Sequence, residues 1–132
     1  MDLDVRPATD ADAALMVRWA EAMAFETEGK QLDDATVAGE PAGTLMLTPE
    51  WSDWRDGWWW WIQSVYVAPA HRRKGVYRAL YSHVLAQARA DSGVCGLRLY
   101  VERENTNAQR TYEFLGMVDA GYRMYEADTR KG

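Results

Sequence analysis

The chain has 132 residues, 48% of them hydrophobic and 27% charged, which predicts a single globular domain over residues 1–132 with its own core. The formal net charge of -5 argues against nucleic acid as the main partner, because neutralising phosphates requires a basic face. The one cysteine excludes an internal disulfide, and since the chain has neither a membrane-length apolar run nor a signal-peptide pattern, we expect a cytoplasmic protein with no membrane partner.

The N-terminal region predicts a strand and then a helix. Leu3 and Val5 ahead of Pro7 indicate a short strand, and Thr9 is a suitable N-cap for the helix, which we expect Gly29 to end. The residues expected to face the core recur at helical spacing, and they are Met16, Trp19, Ala20 and Met23.

Two glutamates, Glu26 and Glu28, lie near the C-terminal end of this predicted helix. The helix dipole disfavours carboxylates there, so their presence is a hint of a role toward substrate. The alternative is ordinary charge facing solvent. Further along, Asp33 or Asp34 could cap a very short helix through Val37, and residues 39–43 have the composition of a turn.

The middle of the chain predicts an antiparallel hairpin with a long connection. Its strands are 44–48 and 58–67, and the loop 49–57 joins them. Alternation places Trp59, Trp61, Gln63, Val65 and Val67 on one face of the second strand, and Trp58, Trp60, Ile62, Ser64 and Tyr66 on the other. Aromatic rings on both faces indicate that one face lies under helices. The other face either lines a cleft or is buried against a partner. The candidates for an acceptor pocket are Trp51, Asp53, Trp54 and Gln63, with core or interface packing as the alternative.

The strand stops at Pro69, and a basic loop leads into a helix that we expect over 76–90. A helix start offers backbone N–H groups and the positive end of the dipole to an anion. Gly75 allows a phosphate close to the backbone, and Arg72, Arg73 and Lys74 add positive charge. This combination predicts a polyphosphate ligand, whereas the alternative is a solvated basic loop.

The remainder predicts a strand over 94–101 and a last helix that Asn105 or Thr106 caps and Gly116 ends, with Thr106-x-x-Gln109 similar to a capping box. Two short strands, 117–120 and 122–126, should follow. The whole order predicts an α/β (α+β) fold with a mixed, mostly antiparallel central sheet and helices on both faces. A parallel strand pair joined through the 76–90 helix should separate at its C-terminal end.

Two motifs in this half resemble the GNAT superfamily of N-acetyltransferases. Arg72-x-x-Gly75-x-Tyr77 is similar to the acetyl-CoA pyrophosphate loop, Gln/Arg-x-x-Gly-x-Gly/Ala, except that Tyr77 replaces a small residue. We expect its ring to point into the fold, although it could instead block the phosphate. Asn105-x-x-Ala108-x-x-x-Tyr112 resembles the start of the helix beside the thioester. The resemblance implies a GNAT-like acyl-CoA N-acyltransferase fold and acetyl transfer from acetyl-CoA to an amine of a small molecule or peptide.

The resemblance also implies roles for individual residues. Tyr112 corresponds to the general acid that protonates or positions the sulfur, and no metal is implied. The family's strand carboxylate near Gln63 is missing, so we expect deprotonation through water, with Glu26, Glu28 or Asp53 as the candidate base. The implied cofactor-binding residues are Val65, Tyr66, Val67, Arg72, Arg73, Lys74, Gly75, Val76, Tyr77, Arg78, Asn105 and Tyr112.

The chain departs from the family around residues 30–45, where there is too little length for the usual helix and strand. The second strand could be missing, the first strand could pair with a later one, or another copy could fill the gap, as in a homodimer. Two other functions are also consistent with the residues. One is a non-catalytic acyl-CoA-binding module that lost the base, and the other is an interaction protein built on its seven tryptophans.

Overall fold

The computed structural model describes residues 3–8, 31–37 and 40–130, and within 31–40 only the side chain of Ala35. The described chain forms two compact units, Met1–Tyr100 and Val101–Gly132. The elements are β1 (Leu3–Pro7), β2 (Gln31–Val37), β3 (Glu40–Ser52), β4 (Gly57–Val67), a 3-10 turn (Pro69–His71), α1 (Val76–Ala90), β5 (Val94–Arg98) and α2 (Thr106–Phe114).

The first unit contains one five-stranded sheet in the order β1-β2-β3-β4-β5. The first three pairs are antiparallel, whereas β4 and β5 are parallel. This confirms the predicted mixed, mostly antiparallel sheet. The connection from β4 to β5 passes through α1, which is the usual way to join parallel neighbours.

The prediction for residues 31–43 is wrong. Asp33 and Asp34 do not cap a helix but lie inside β2, where Asp33 pairs with Pro7 of β1 and with Leu45 of β3. Residues 40–43 belong to β3 and not to a turn. The local preference of aspartate for caps and turns is outweighed here by pairing on both sides. β2 fills the place in the sheet that a second copy of the chain was expected to fill. The reason given for a homodimer therefore no longer holds.

The hairpin of β3 and β4 is confirmed, but its connection is short. β3 continues through Pro49 and Trp51 to Ser52, so the first half of the predicted loop is strand. The turn consists of residues 53–56, and Asp56 adopts a left-handed φ of 47° in it. Pro49 is tolerated because β3 runs beyond its ladder with β2 here and pairs on one side alone, with Trp60 of β4.

A bulge at Gln63 changes the predicted faces of β4. Leu47 pairs with Ile62 and Met46 with Ser64, so Gln63 is the extra residue. Partners across the ladder share a face, and the face of Ile62 therefore continues with Val65 and Val67. Simple alternation is thus wrong beyond the bulge. Trp59 and Trp61 share a face with Ser64 and Tyr66, and not with Val65 and Val67.

The helix α1 confirms the predicted bounds and covers one face of the sheet. Its buried residues recur at helical spacing, and they are Val76, Leu80, Tyr81, Val84 and Ala88. Gly43 of β3 lies against the helix start, since a Cβ there would be 3.0 Å from Cγ1 of Val76 and 2.8 Å from the carbonyl oxygen of Tyr66. We call this side the helix face and the other side, which carries Met46, Thr48 and Glu50, the opposite face.

The second unit contains α2 and an extended tail. Asn105 is the N-cap, and its Oδ1 accepts from the N–H of Ala108 at 3.1 Å. The predicted capping box is wrong, because Gln109 donates to the carbonyls of Glu102 and Arg103. Gly116, with φ 98°, ends the helix as predicted.

The two strands predicted over 117–126 are absent from the described tail, which is wholly outside any β-ladder. Val118, Tyr122 and Tyr125 are more than 80% exposed. Alternating residues alone do not make a strand, because the backbone also needs a hydrogen-bonding neighbour. Local contacts shape the bend instead, since Asp119 Oδ1 accepts from the N–H of Gly121 at 2.9 Å.

Predictions for the first helix, including its core residues and the roles of Glu26 and Glu28, lie outside the described residues. Within the described ranges, neither helix combines the length and apolar character needed to cross a membrane.

Candidate functional site

Toward its C-terminal end, the edge of β4 that faces β5 has no strand partner among the described residues of the first unit. We call this stretch the open edge. The two strands pair only from Trp58 to Trp61 and from Val94 to Arg98. The N–H of Ala68 donates to Ala42 of β3 at 2.7 Å, so alternation turns the backbone groups of Val65 and Val67 away from β3 and toward the open side. An extended ligand could therefore bond to Val65 and Val67 as an additional strand.

The basic loop lies at the same end of β4. Arg72 bends back onto the strand, where its Nε donates to the carbonyl of Val67 at 2.9 Å and its guanidinium lies 5.8 Å from the ring centroid of Tyr66. Arg73 adopts a left-handed φ of 62°, and Lys74 beside it is exposed. The three cations thus have different surroundings. Arg72 is held at the end of β4, whereas Arg73 and Lys74 lie on an exposed turn.

Gly75 is the N-cap of α1 and leaves the helix start open. Its φ of 80° is left-handed, and a Cβ built there would meet no atom of the described residues within 4 Å. The first intrahelical bond runs from Ala79 N–H to the Gly75 carbonyl at 3.0 Å, so the helix itself supplies no acceptor for the N–H groups before Ala79. No acidic residue lies in the first turn. This geometry suits an anion held by backbone groups.

Tyr77 does not cover the loop at Gly75. Its hydroxyl oxygen is buried, and its ring lies 6.4 Å from that of Tyr81 at a tilt of 41°. Tyr81 is itself only 5% exposed, so the two rings follow the inner rows of the helix. The side chain therefore points into the fold, as expected from its register with Tyr81.

Asn105 and Tyr112 lie in the second unit. The amide oxygen of Asn105 is engaged in the N-cap of α2. Burial raises the pKa of Tyr112 above its ordinary value of 10.0, which keeps the phenol protonated at neutral pH. A protonated phenol is the form that a proton donor needs.

The predicted acceptor-pocket residues fall at two places. Trp51 and Asp53 come together at the hairpin end, where Trp51 Nε1 donates to Asp53 Oδ1 at 2.8 Å, and Trp54 is 99% exposed on the turn beside them. Gln63 lies on the opposite face, with its Nε2 donating to Thr48 Oγ1 at 2.9 Å. At 3.3 Å per residue, the hairpin end is about 30 Å along β4 from Val67.

A polar network on the opposite face was not predicted from sequence. Glu50 Oε1 accepts from Trp61 Nε1 at 3.2 Å and from Arg98 Nη1 at 3.3 Å. The ring of Trp61 stacks on Tyr100, with centroids 4.4 Å apart. Alternation along the strand predicted over 94–101 places Arg98 and Tyr100 on one side, although β5 itself ends at Arg98. Only the three-dimensional register brings Glu50 to them.

Trp59 supports the guanidinium of Arg98. The Cζ of Arg98 lies 3.8 Å from the Trp59 centroid, and Arg55 approaches the same ring at 5.2 Å. The indole lies over Gly96, where a Cβ would be 2.5 Å from Cζ3 of Trp59. Gly96 is therefore required for the ring to lie flat and present its face to Arg98.

We expect Gly96→Ala to destabilise the protein by about 1–3 kcal/mol, because the added methyl must displace a stacked ring rather than a flexible side-chain end. Urea unfolding measures the loss. The matched control is Gly93→Ala, whose Cβ would be 3.3 Å from a carboxylate oxygen of Asp91 that can move. Equal stability of the two variants would show that Trp59 is not held against β5.

No group of three or more His, Cys, Asp or Glu side chains with the geometry of a metal site occurs in the described part of the chain.

The chain is similar to a known protein family and to solved structures. The acetyltransferase (GNAT) family profile matches residues 5–117. No curated protein sequence matches the chain. A solved structure of a possible acetyltransferase from Clostridium difficile 630 is 34% identical, with a TM-score of 0.85 over 96% of this chain and 97% of that one.

Two more distant structures share the fold. A ribosomal-protein-alanine N-acetyltransferase from Brucella melitensis biovar Abortus 2308 is 19% identical, with a TM-score of 0.76 over 96% of this chain and 99% of that one. An aminoglycoside N-acetyltransferase in complex with CoA is 16% identical, with a TM-score of 0.68 over 95% of this chain and 98% of that one. At these identities the similarity concerns the fold alone.

Proposed function

The chain belongs to the GNAT acetyltransferase family, and on that basis we propose that it transfers the acetyl group of acetyl-CoA to a primary amine of a small molecule or peptide. The observation that carries the proposal is the coincidence of two features at one end of β4. The helix start at Gly75 is open, and β5 does not pair with β4 at Val65 and Val67.

Each feature fits a different part of acetyl-CoA. The diphosphate carries the charge that the α1 start and the residues 72–74 attract. The amide-containing arm between diphosphate and thiol can bond to the backbone of Val65 and Val67 in the manner of a strand. Arg72, fixed at the carbonyl of Val67, lies where these two parts of the ligand would meet.

The chemistry requires an uncharged amine, stabilisation of an oxyanion and a proton for the departing sulfur. An ammonium substrate first gives one proton to the base. The amine nitrogen then attacks the thioester carbon, the C–S bond breaks, the nitrogen loses a second proton and the departing sulfur gains one, so the products are an N-acetyl compound, CoA thiol and the proton held by the base. The bulge leaves Gln63 outside the ladder, and its backbone N–H is a suitable donor to the oxyanion. We assign Tyr112 as the proton donor to sulfur and retain Glu26 and Glu28 as bases acting through water.

A thermal-shift titration with acetyl-CoA tests cofactor binding. A ligand that binds only the folded state stabilises it, by about 2.7 kcal/mol at 100 times its dissociation constant. We therefore expect the melting temperature to rise with acetyl-CoA concentration. An unchanged melting temperature at millimolar acetyl-CoA would contradict the proposal.

Thiol release tests transfer itself. Acetyl-CoA is mixed with a panel of amines, and free thiol is measured with a chromogenic disulfide. We expect thiol release that depends on the amine. Binding of acetyl-CoA without such release by any amine would favour the non-catalytic acyl-CoA-binding module.

A further inference from the structure

The network of Glu50, Trp59, Trp61, Arg98 and Tyr100 on the opposite face, here called the Arg98 cluster, lies where the open edge of β4 ends. Trp61 and Arg98 form the last pair of the parallel ladder. A ligand arm laid along Val67 and Val65 runs toward this pair. The reactive end of such a ligand therefore points to the part of the sheet that the cluster occupies.

The guanidinium of Arg98 is fixed in orientation while part of it stays accessible. Its Cζ lies 3.8 Å from the ring centroid of Trp59 and 5.8 Å from that of Trp61, Nη1 donates to Glu50, and the side chain is 28% exposed. Within the described part of the first unit, Glu50 is the one hydrogen-bond acceptor that it reaches. A guanidinium has five N–H donors in one plane, so further donors remain for an anion.

Glu50 provides the opposite charge beside it. The side chain of Glu50 is 51% exposed, and Oε1 accepts both of its hydrogen bonds, from Trp61 and from Arg98. The other carboxylate oxygen can accept from a ligand. Since an ion pair this exposed contributes little to folding stability, a ligand can insert between its partners at low cost.

We propose that the acceptor is a zwitterionic amino compound, a free α-amino acid or a close analogue, whose carboxylate binds the guanidinium of Arg98. Glu50 then faces the positive end of the same compound, and the rings of Trp61 and Tyr100 bound the space for its side chain. Two opposite charges held side by side complement a zwitterion, whereas a simple amine would leave the guanidinium without a new partner. The inference rests on the proposed acetyl transfer and specifies its substrate class.

The test compares α-amino acids with the amines obtained by removing their carboxylate. The pairs are phenylalanine with phenethylamine and lysine with cadaverine, each assayed by thiol release from acetyl-CoA. We expect kcat/KM to be about tenfold or more higher for the better amino acid than for its amine, as the loss of one bidentate contact implies. A preference for the amines, or equal use of both, would overturn the inference.

Arg98→Lys is the matched variant, because lysine keeps the charge and the alkyl stem but lacks the planar fork. We expect the variant to raise KM for the amino acid and to bring the ratio between acid and amine close to one, while CoA affinity stays at the wild-type value. An unchanged ratio would show that Arg98 serves only to stack on Trp59.

A binding measurement independent of turnover completes the test. With CoA present, titration of the amino acid should change the tryptophan fluorescence of the wild type and not of Arg98→Lys. No response to any amino acid would contradict the inference. If acetyl-CoA itself fails to bind, the proposed function fails; if acetyl-CoA binds and amines without a carboxylate are acetylated instead, only the proposed substrate class fails.

Discussion

Replacing Gly75 with valine is expected to lower the affinity for acetyl-CoA by about 10- to 100-fold, the equivalent of losing one or two charge-assisted hydrogen bonds. In the free protein a Cβ at Gly75 would meet nothing within 4 Å among the described residues. The side chain would instead occupy the space that the proposed diphosphate needs. Isothermal titration with acetyl-CoA measures the effect.

Gly121→Val provides the control for backbone strain. Gly121 has a φ of 77°, close to the 80° of Gly75, and it too has open space around its Cβ position. Both variants should lose about 1–2 kcal/mol of stability, because an L-residue is strained in this conformation. Only Gly75→Val should lose affinity. Similar affinities for the two variants would place the phosphate elsewhere.

Tyr112→Phe should lower kcat by about 100-fold or more, the usual contribution of a positioned proton donor. Affinity for acetyl-CoA should change little, because the ring and its packing remain. Burial raises the pKa of Tyr112 above 10.0, so the donor form persists through neutral pH and is lost only as pH rises past that value. The variant should therefore also lack this alkaline decline in kcat.

Tyr81→Phe is the matched control, because burial raises the pKa of Tyr81 as well, with the charge of Arg89 opposing it. Removing this hydroxyl from the buried side of α1 should leave kcat near the wild-type value. An equal loss of turnover and CoA affinity in Tyr112→Phe would assign Tyr112 to packing and leave the sulfur without its proposed acid.

The elements that sequence predicts best are those with a strong local pattern. The helix over 76–90 has apolar residues at helical spacing and a proline-marked strand before it, and both bounds agree with the structure. The proposed anion site follows from the same stretch, because Gly75 and its basic neighbours are adjacent in the chain. Chemistry that depends on one continuous segment can be inferred from that segment.

Elements that depend on distant pairing could not be predicted in the same way. The aspartates of β2 favour a cap locally, yet Asp33 pairs with residues 7 and 45 in the sheet. The bulge at Gln63 could not be predicted, because β4 carries aromatic residues on both faces and a change of face therefore does not alter the pattern. Tail residues 117–126 show the opposite error, since their strand-like pattern has no ladder in the described structure.

The Arg98 cluster illustrates why part of the proposed site cannot be predicted from the sequence. Glu50 and Arg98 are 48 residues apart, and no local sequence pattern relates them. Their contact depends on the register of β3 with β4 and of β4 with β5. From sequence alone, Gly96 would be expected to weaken a strand. In the structure it leaves the space in which the ring of Trp59 lies beside the guanidinium of Arg98.

Amide NMR during a titration with CoA tests the cofactor site most directly, since it reports on the backbone N–H groups themselves. The account predicts that CoA shifts the amide signals of residues 74–78, at the start of α1, together with those of Val65 and Val67 on the open edge. Saturating CoA that leaves both groups of signals in place would contradict it.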